Sequence, residues 1–269
     1  MQTPPISGNV SRLSHAGLKL EVHPSKAEAG AAAARAAAAE LIRLAGLHDS
    51  FGVIFATGAS QLAMLDALVS IPGLPWDRVV GFHMDEYIGL DADHPASFRR
   101  YMREKLTSRV KMLRFNEIDG SAADIEQVRR DYVQAIEAAR PALCLLGIGE
   151  NGHLAFNDPG EADFSDAHAM KVVTLDDACR DQQVAEGWFA GRDEVPRRAL
   201  TLTIPELLRV PRLIASVPGA RKAAIVHRTL EEPVTTACPS TILRTHGNVT
   251  IYLDPDSAAE LNELSSTAK

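Results

Sequence analysis

The chain has 269 residues, of which 46% are hydrophobic and 5% aromatic, with 28 Lys plus Arg against 35 Asp plus Glu and a net charge of −7. That length holds one large α/β domain with its own core, and residues 1–269 read as a single domain. The acidic balance and sparse aromatics argue against nucleic acid as a partner, since such a groove needs clustered cations and stacking rings.

Residues 1–16 have no continuous apolar run, so no signal peptide is expected. The alanine-rich stretch that follows is broken by Arg35, Glu40 and Arg43, which argues against a membrane span. In chain order, the pattern predicts a strand over 18–22, a helix over 27–44, a strand over 52–56 and a helix over 60–70. A strand over 79–83, helices over 97–107 and 121–139, and a strand over 142–147 come next. The last part predicts strands over 200–203 and 213–217, a helix over 220–229, a strand over 249–253 and a helix over 257–264. Short Val/Ile/Leu runs alternating with longer helical segments are the signature of a doubly wound, mostly parallel sheet, Rossmann-like, with helices on both faces. Cys144, Cys179 and Cys238 are odd in number, widely spaced and form no CxxC pair. They read as reduced thiols of a cytoplasmic protein, not a zinc site.

Ligands of such sheets sit outside the carboxyl ends of the strands, so the segments just after each strand are the places to look for chemistry. The first, Thr57-Gly58-Ala59-Ser60, is a small-residue turn entering a helix. Its amides and hydroxyls suit an anion, although a plain turn with Ser60 as an N-cap fits as well. In the second, His83-Met84-Asp85-Glu86-Tyr87, a strand runs directly into two carboxylates. Dehydrated by Met84 and Tyr87, one of them could act as a general base; the alternative is a loop cap. His83 beside two acids evokes a metal, but adjacent acids diverge and no second histidine lies at ligand spacing, so no metal is expected.

The third segment, Gly147-Ile148-Gly149-Glu150-Asn151-Gly152-His153, continues through Asn157-Asp158-Pro159. Two glycines would let the backbone approach a ligand, and one histidine with acid and amide neighbours could move protons near neutral pH. In the fourth, Gly219-Ala220-Arg221-Lys222, two cations at a helix start call for an anion nearby.

Taken in order, these segments resemble the glucosamine-6-phosphate deaminase/isomerase family, which shares a superfamily with the 6-phosphogluconolactonases. Ala56-Thr57-Gly58, Met84-Asp85-Glu86-Tyr87, the run from Gly147 to Pro159, Ala199-Leu200-Thr201 and Lys222 carry the likeness, with Pro233-Val234 and Ser240-Thr241-Ile242-Leu243 beyond them. The resemblance implies a hydrolase/isomerase of amino sugar metabolism that turns glucosamine 6-phosphate into fructose 6-phosphate and ammonia, with no cofactor. It implies Asp85 as the base between C1 and C2 and His153 as the group that assists ring opening. Thr57, Gly58, Ala59, Ser60 and Lys222 would hold the phosphate. Asn151 stands where the family usually has aspartate, and Asp158 where it usually has glutamate. Arg180 is the substitute for the family's phosphate-binding arginine.

A 6-phosphogluconolactonase is the nearest alternative, but its histidine is typically followed by a Thr-Ala-Ser-Leu-Phe-Pro-like run, unlike Leu154-Ala155-Phe156-Asn157 here. A non-catalytic sugar-phosphate sensor is a third reading. The expected partner is a phosphorylated sugar, with neither nucleic acid nor membrane. The apolar helix faces leave a homo-oligomer open.

Overall fold

The computed structural model describes residues 10–185 and 187–263. Its strands are β1 (Ser11–His15), β2 (Leu18–Val22), β3 (Phe51–Phe55), β4 (Val79–His83), β5 (Asp85–Tyr87), β6 (Arg114–Asn116), β7 (Leu143–Leu146), β8 (Met170–Thr174), β9 (Arg198–Leu202), β10 (Arg212–Ser216) and β11 (Val249–Leu253). Its helices are α1 (Lys26–Ala45), α2 (Leu62–Val69), α3 (Phe98–Met102), α4 (Ile125–Ala139), α5 (Asp177–Ala185), α6 (Ile204–Leu208) and α7 (Ala223–Glu231).

Eight strands form one sheet in the order β1-β2-β11-β10-β7-β3-β4-β6. Every neighbouring pair is parallel except the β1–β2 hairpin. Strands β3 and β7 carry no polar side chain because successive side chains feed opposite cores. Val53, Phe55, Leu143 and Leu145 pack with α1, α2 and α3. Ile54, Cys144 and Leu146 pack on the other face with Tyr132 and Ile136 of α4 and Ile225 of α7. The alanines of α1 let it lie close to α2: a Cβ at Gly30 would stand 2.7 Å from that of Ala63. No helix among the described residues is long and apolar enough to cross a membrane.

The strand expected over 200–203 exists as β9 but lies outside the main sheet. It is the centre of a separate antiparallel sheet, β5-β9-β8. A third apolar cluster, including Tyr87, Phe98, Phe156, Val173 and Ala199, lies on this sheet. The expected helix 97–107 is α3 followed by a π-helical turn, Arg103–Thr107. The helices expected over 60–70 and 220–229 open with 3₁₀ turns at Ala59–Gln61 and Ala220–Lys222. The last expected helix is a 3₁₀ segment, Ala259–Glu263, and Leu264 lies outside the described residues.

Candidate active site

A cavity of about 310 Å³ opens where β3, β4, β7 and β10 end, and the residues that follow each strand line it. One side is built from two turns of the same design. Gly58 and Gly219 have φ of 96° and 99° with extended ψ, a region open in practice only to glycine. Each is followed by an alanine and a 3₁₀ turn that runs into a helix. The amides of Ala59, Ser60, Ala220 and Arg221 open these turns, before any acceptor exists within the helix. The Asp254 carboxylate fixes the second turn by accepting the Gly219 N–H at 2.9 Å, and the Tyr101 hydroxyl steadies the first by donating to the Gly58 carbonyl at 3.0 Å.

Thr57, Gly58, Ala59, Ser60 and Lys222 all line the cavity. Arg180 does not. Its guanidinium is buried against Asp177 and the carbonyls of Val195 and Arg192. The α5 helix that carries it was not foreseen, and helix geometry turns the cation inward. Two other cations border the cavity: Lys26, the first residue of α1, and Arg221, which pairs with Glu150 at 3.3 Å.

The Asp85-Glu86 pair divides its work. Glu86 is fully buried and accepts from the Ser97 hydroxyl at 2.9 Å and from the amides of Phe98 and Arg99 at 3.2 and 2.9 Å. It therefore caps α3, the plain structural role foreseen for one of the two acids. Asp85 lines the cavity, 6% exposed, and its Oδ1 has no hydrogen-bond partner among the described residues. Burial, reinforced by the charge of Glu86, holds its pKa well above the ordinary carboxylate range. Phe98 and Phe156, stacked 5.7 Å apart, supply apolar wall to the same cavity. His83 is structural: burial lowers its pKa to about 3, and Nε2 accepts the Ile118 N–H at 2.8 Å. Among the described residues no cluster of His, Cys, Asp and Glu is arranged to hold a metal ion.

The third segment folds into a tight loop around His153. Its Nδ1 lies 3.0 Å from Asp158 Oδ1, which also accepts from Asn151 Nδ2 at 2.7 Å. Asn151 Oδ1 in turn accepts the backbone N–H of His153 at 3.0 Å. Burial raises the pKa of Asp158, but the bonds from His153 and Asn151 outweigh it and hold the carboxyl below its usual range. With Nδ1 committed to this carboxylate, Nε2 is the ring nitrogen available to a ligand.

Gly147 and Gly149 line the cavity, and both also serve packing. A Cβ at Gly149 would lie 2.2 to 2.4 Å from three atoms of the His153 ring, and one at Gly147 would lie 2.7 Å from Gln61 Nε2. Gly149→Ala is therefore expected to expel the imidazole from its bond to Asp158 and to destabilise the fold by about 1–3 kcal/mol. Denaturant unfolding and the Nδ1–H proton resonance of His153 measure both effects.

Strand β9 holds the acid and the histidine loop in one frame. Thr201 is paired with Asp85 across the β5–β9 ladder, and its hydroxyl accepts the Phe156 N–H at 3.1 Å. Asn157, fully buried, donates to the carbonyls of Leu154 and Leu202, both at 2.8 Å. Ala199-Leu200-Thr201, one of the segments that carry the family likeness, supplies this seam.

Fold and cavity define a class: a doubly wound α/β protein with paired glycine turns beside a buried carboxylate and a carboxylate-bound imidazole. The chain belongs to the family described as glucosamine-6-phosphate isomerases/6-phosphogluconolactonase, whose pattern matches residues 24–252, and it is an enzyme of that family. It is 36% identical over 208 residues to a glucosamine-6-phosphate deaminase of Geobacillus sp. (strain WCH70), covering 75% of this chain and 81% of the relative. Among solved structures, a monomeric glucosamine-6-phosphate deaminase superposes with a TM-score of 0.82 at 28% identity, covering 90% of this chain and 99% of that one. A 6-phosphogluconolactonase from Trypanosoma brucei shares the fold, with a TM-score of 0.70, 19% identity and coverage of 90% and 98%.

Proposed function

We propose that the protein isomerises and deaminates an amino sugar phosphate, with glucosamine 6-phosphate as the substrate. The observation that carries this reading is the buried Asp85 carboxylate, without a partner at Oδ1, in the same cavity as an imidazole tied to Asp158. The phosphate binds at the paired glycine turns and Lys222, remote from the reacting carbons, and its binding energy orients them. His153, presenting Nε2, protonates the ring oxygen as the sugar opens. Asp85 then carries a proton from C2 to C1, which leaves an imine at C2; water adds to that carbon, the C–N bond breaks, and ammonia departs as the C2 ketone forms. The substrate's own ammonium favours the ionised carboxylate, so binding opposes the upward shift that burial imposes on the pKa of this base. Asn151 acts by holding Asp158 and the His153 backbone, a task that needs an amide and no ionisation.

The hydrolase half of the sequence expectation is dropped. Lactone hydrolysis is the reaction of the 6-phosphogluconolactonases, of which the Trypanosoma brucei structure matches this chain in fold at 19% identity. The deciding experiment offers glucosamine 6-phosphate, galactosamine 6-phosphate and 6-phosphogluconolactone to the purified protein. Equimolar ammonia and fructose 6-phosphate are expected. Acid release from the lactone alone would move the chain to the lactonase branch, and binding without turnover would make it a sensor.

A further inference from the structure

We infer that Gln61, which does not line the cavity, is a positioning residue of the phosphate subsite: its side-chain amide sets the spacing between the two glycine turns. The inference rests on reading those turns as the phosphate cradle.

The turns follow β3 and β10, which lie on either side of β7 in the sheet. An anion gripped by both needs their separation fixed, yet neither turn belongs to the other's loop. Gln61 closes that gap. It is 0% exposed, and its Nε2 donates to Ser60 Oγ at 2.9 Å and to the carbonyl of Ser216, the last residue of β10, at 3.2 Å. The Ser216 hydroxyl returns a bond to the Ser60 carbonyl at 3.4 Å. Gly147, at the end of β7, leaves room for the amide to pass between the outer strands, where any Cβ would meet Nε2 at 2.7 Å.

The other half of the amide argues the same way. Gln61 Oε1 is buried with no hydrogen-bond partner among the described residues. A buried acceptor left unpaired is a cost that methionine or leucine would avoid. What the glutamine supplies in exchange is the pair of bonds from Nε2, one ending on the first turn at Ser60 and the other on the end of the strand that leads into the second.

The test is Gln61→Met, close in volume but without donors, with Gln61→Glu as a second variant that keeps the shape and loses the N–H groups. Binding of inorganic phosphate and of fructose 6-phosphate is measured by calorimetry, beside kcat and KM for glucosamine 6-phosphate. Both variants are expected to bind phosphate about tenfold more weakly and to raise KM by a similar factor, with kcat within about twofold of wild type. A purely structural role would instead lower kcat or the thermal midpoint and leave phosphate affinity unchanged, and that result overturns the inference. Because phosphate binding is read directly, a wild type that binds phosphate without turning over the sugar would defeat the proposed reaction and still judge Gln61. A wild type that binds no phosphate defeats both.

Discussion

Asp85→Asn is expected to lower kcat for glucosamine 6-phosphate by roughly 10³-fold or more, with little change in KM, while making the empty protein more stable. The first effect follows from removing a proton-transfer group while keeping its shape, since positioned general bases contribute about 10² to 10⁴ in rate. The second follows from the direction of the pKa shift. Burial and the neighbouring Glu86 raise the pKa of Asp85 in the folded state well above its ordinary 3.8. Above pH 3.8 the unfolded chain therefore releases a proton that the folded chain retains, and folding stability falls as pH rises towards the raised value. Asparagine has no such penalty. The midpoint difference between variant and wild type should be near zero below pH 4 and grow towards neutrality, read by thermal unfolding across pH 3.5 to 8. A variant within tenfold of wild-type activity would remove Asp85 from the role of base. An unchanged stability difference across that range would show that the carboxylate ionises freely in the folded protein.

The parallel core was legible because strands buried on both faces leave unbroken apolar runs, as in Leu143-Cys144-Leu145-Leu146. Candidates were legible where polar residues follow such a run, and Asp85, His153, Thr57 and Lys222, picked out that way, all line the cavity. Sheet β5-β9-β8 was not, because β5 is three residues long and its partner Thr201 lies more than a hundred residues further along the chain. The work of Gln61 was hidden for the same reason, since its acceptor at Ser216 is 155 positions away. Lys26 was passed over because nothing local marks the first residue of a helix as the rim of a cavity. Arg180 failed differently: the sequence offered a cation near the right place, but only the geometry of α5 shows its guanidinium turned to the Val195 and Arg192 carbonyls.

Asp158→Asn is expected to lower kcat by about 10²- to 10³-fold through His153 without touching the phosphate. A carboxylate bound to one ring nitrogen fixes the tautomer and steadies the protonated imidazole, and an amide in its place can do neither reliably. Here one oxygen, Oδ1, takes bonds from both His153 Nδ1 and Asn151 Nδ2. An asparagine that turned its oxygen to the histidine would still lack the charge, and one that turned its amide would oppose the Asn151 donor. The pH signature should be the reverse of that at Asp85. The pKa of Asp158 is depressed in the folded state, so the unfolded chain binds the proton first as pH falls through 3.8. Its stabilisation is complete above that value and is lost as pH drops through the depressed folded one. The variant should therefore be less stable than wild type at pH 7, with the deficit closing in acid, whereas the Asp85 variant gains stability over the same neutral range. Inorganic phosphate affinity should stay at the wild-type value. A loss of phosphate binding on a par with the loss of kcat would mean that Asp158 holds the whole loop in place and does not act through His153.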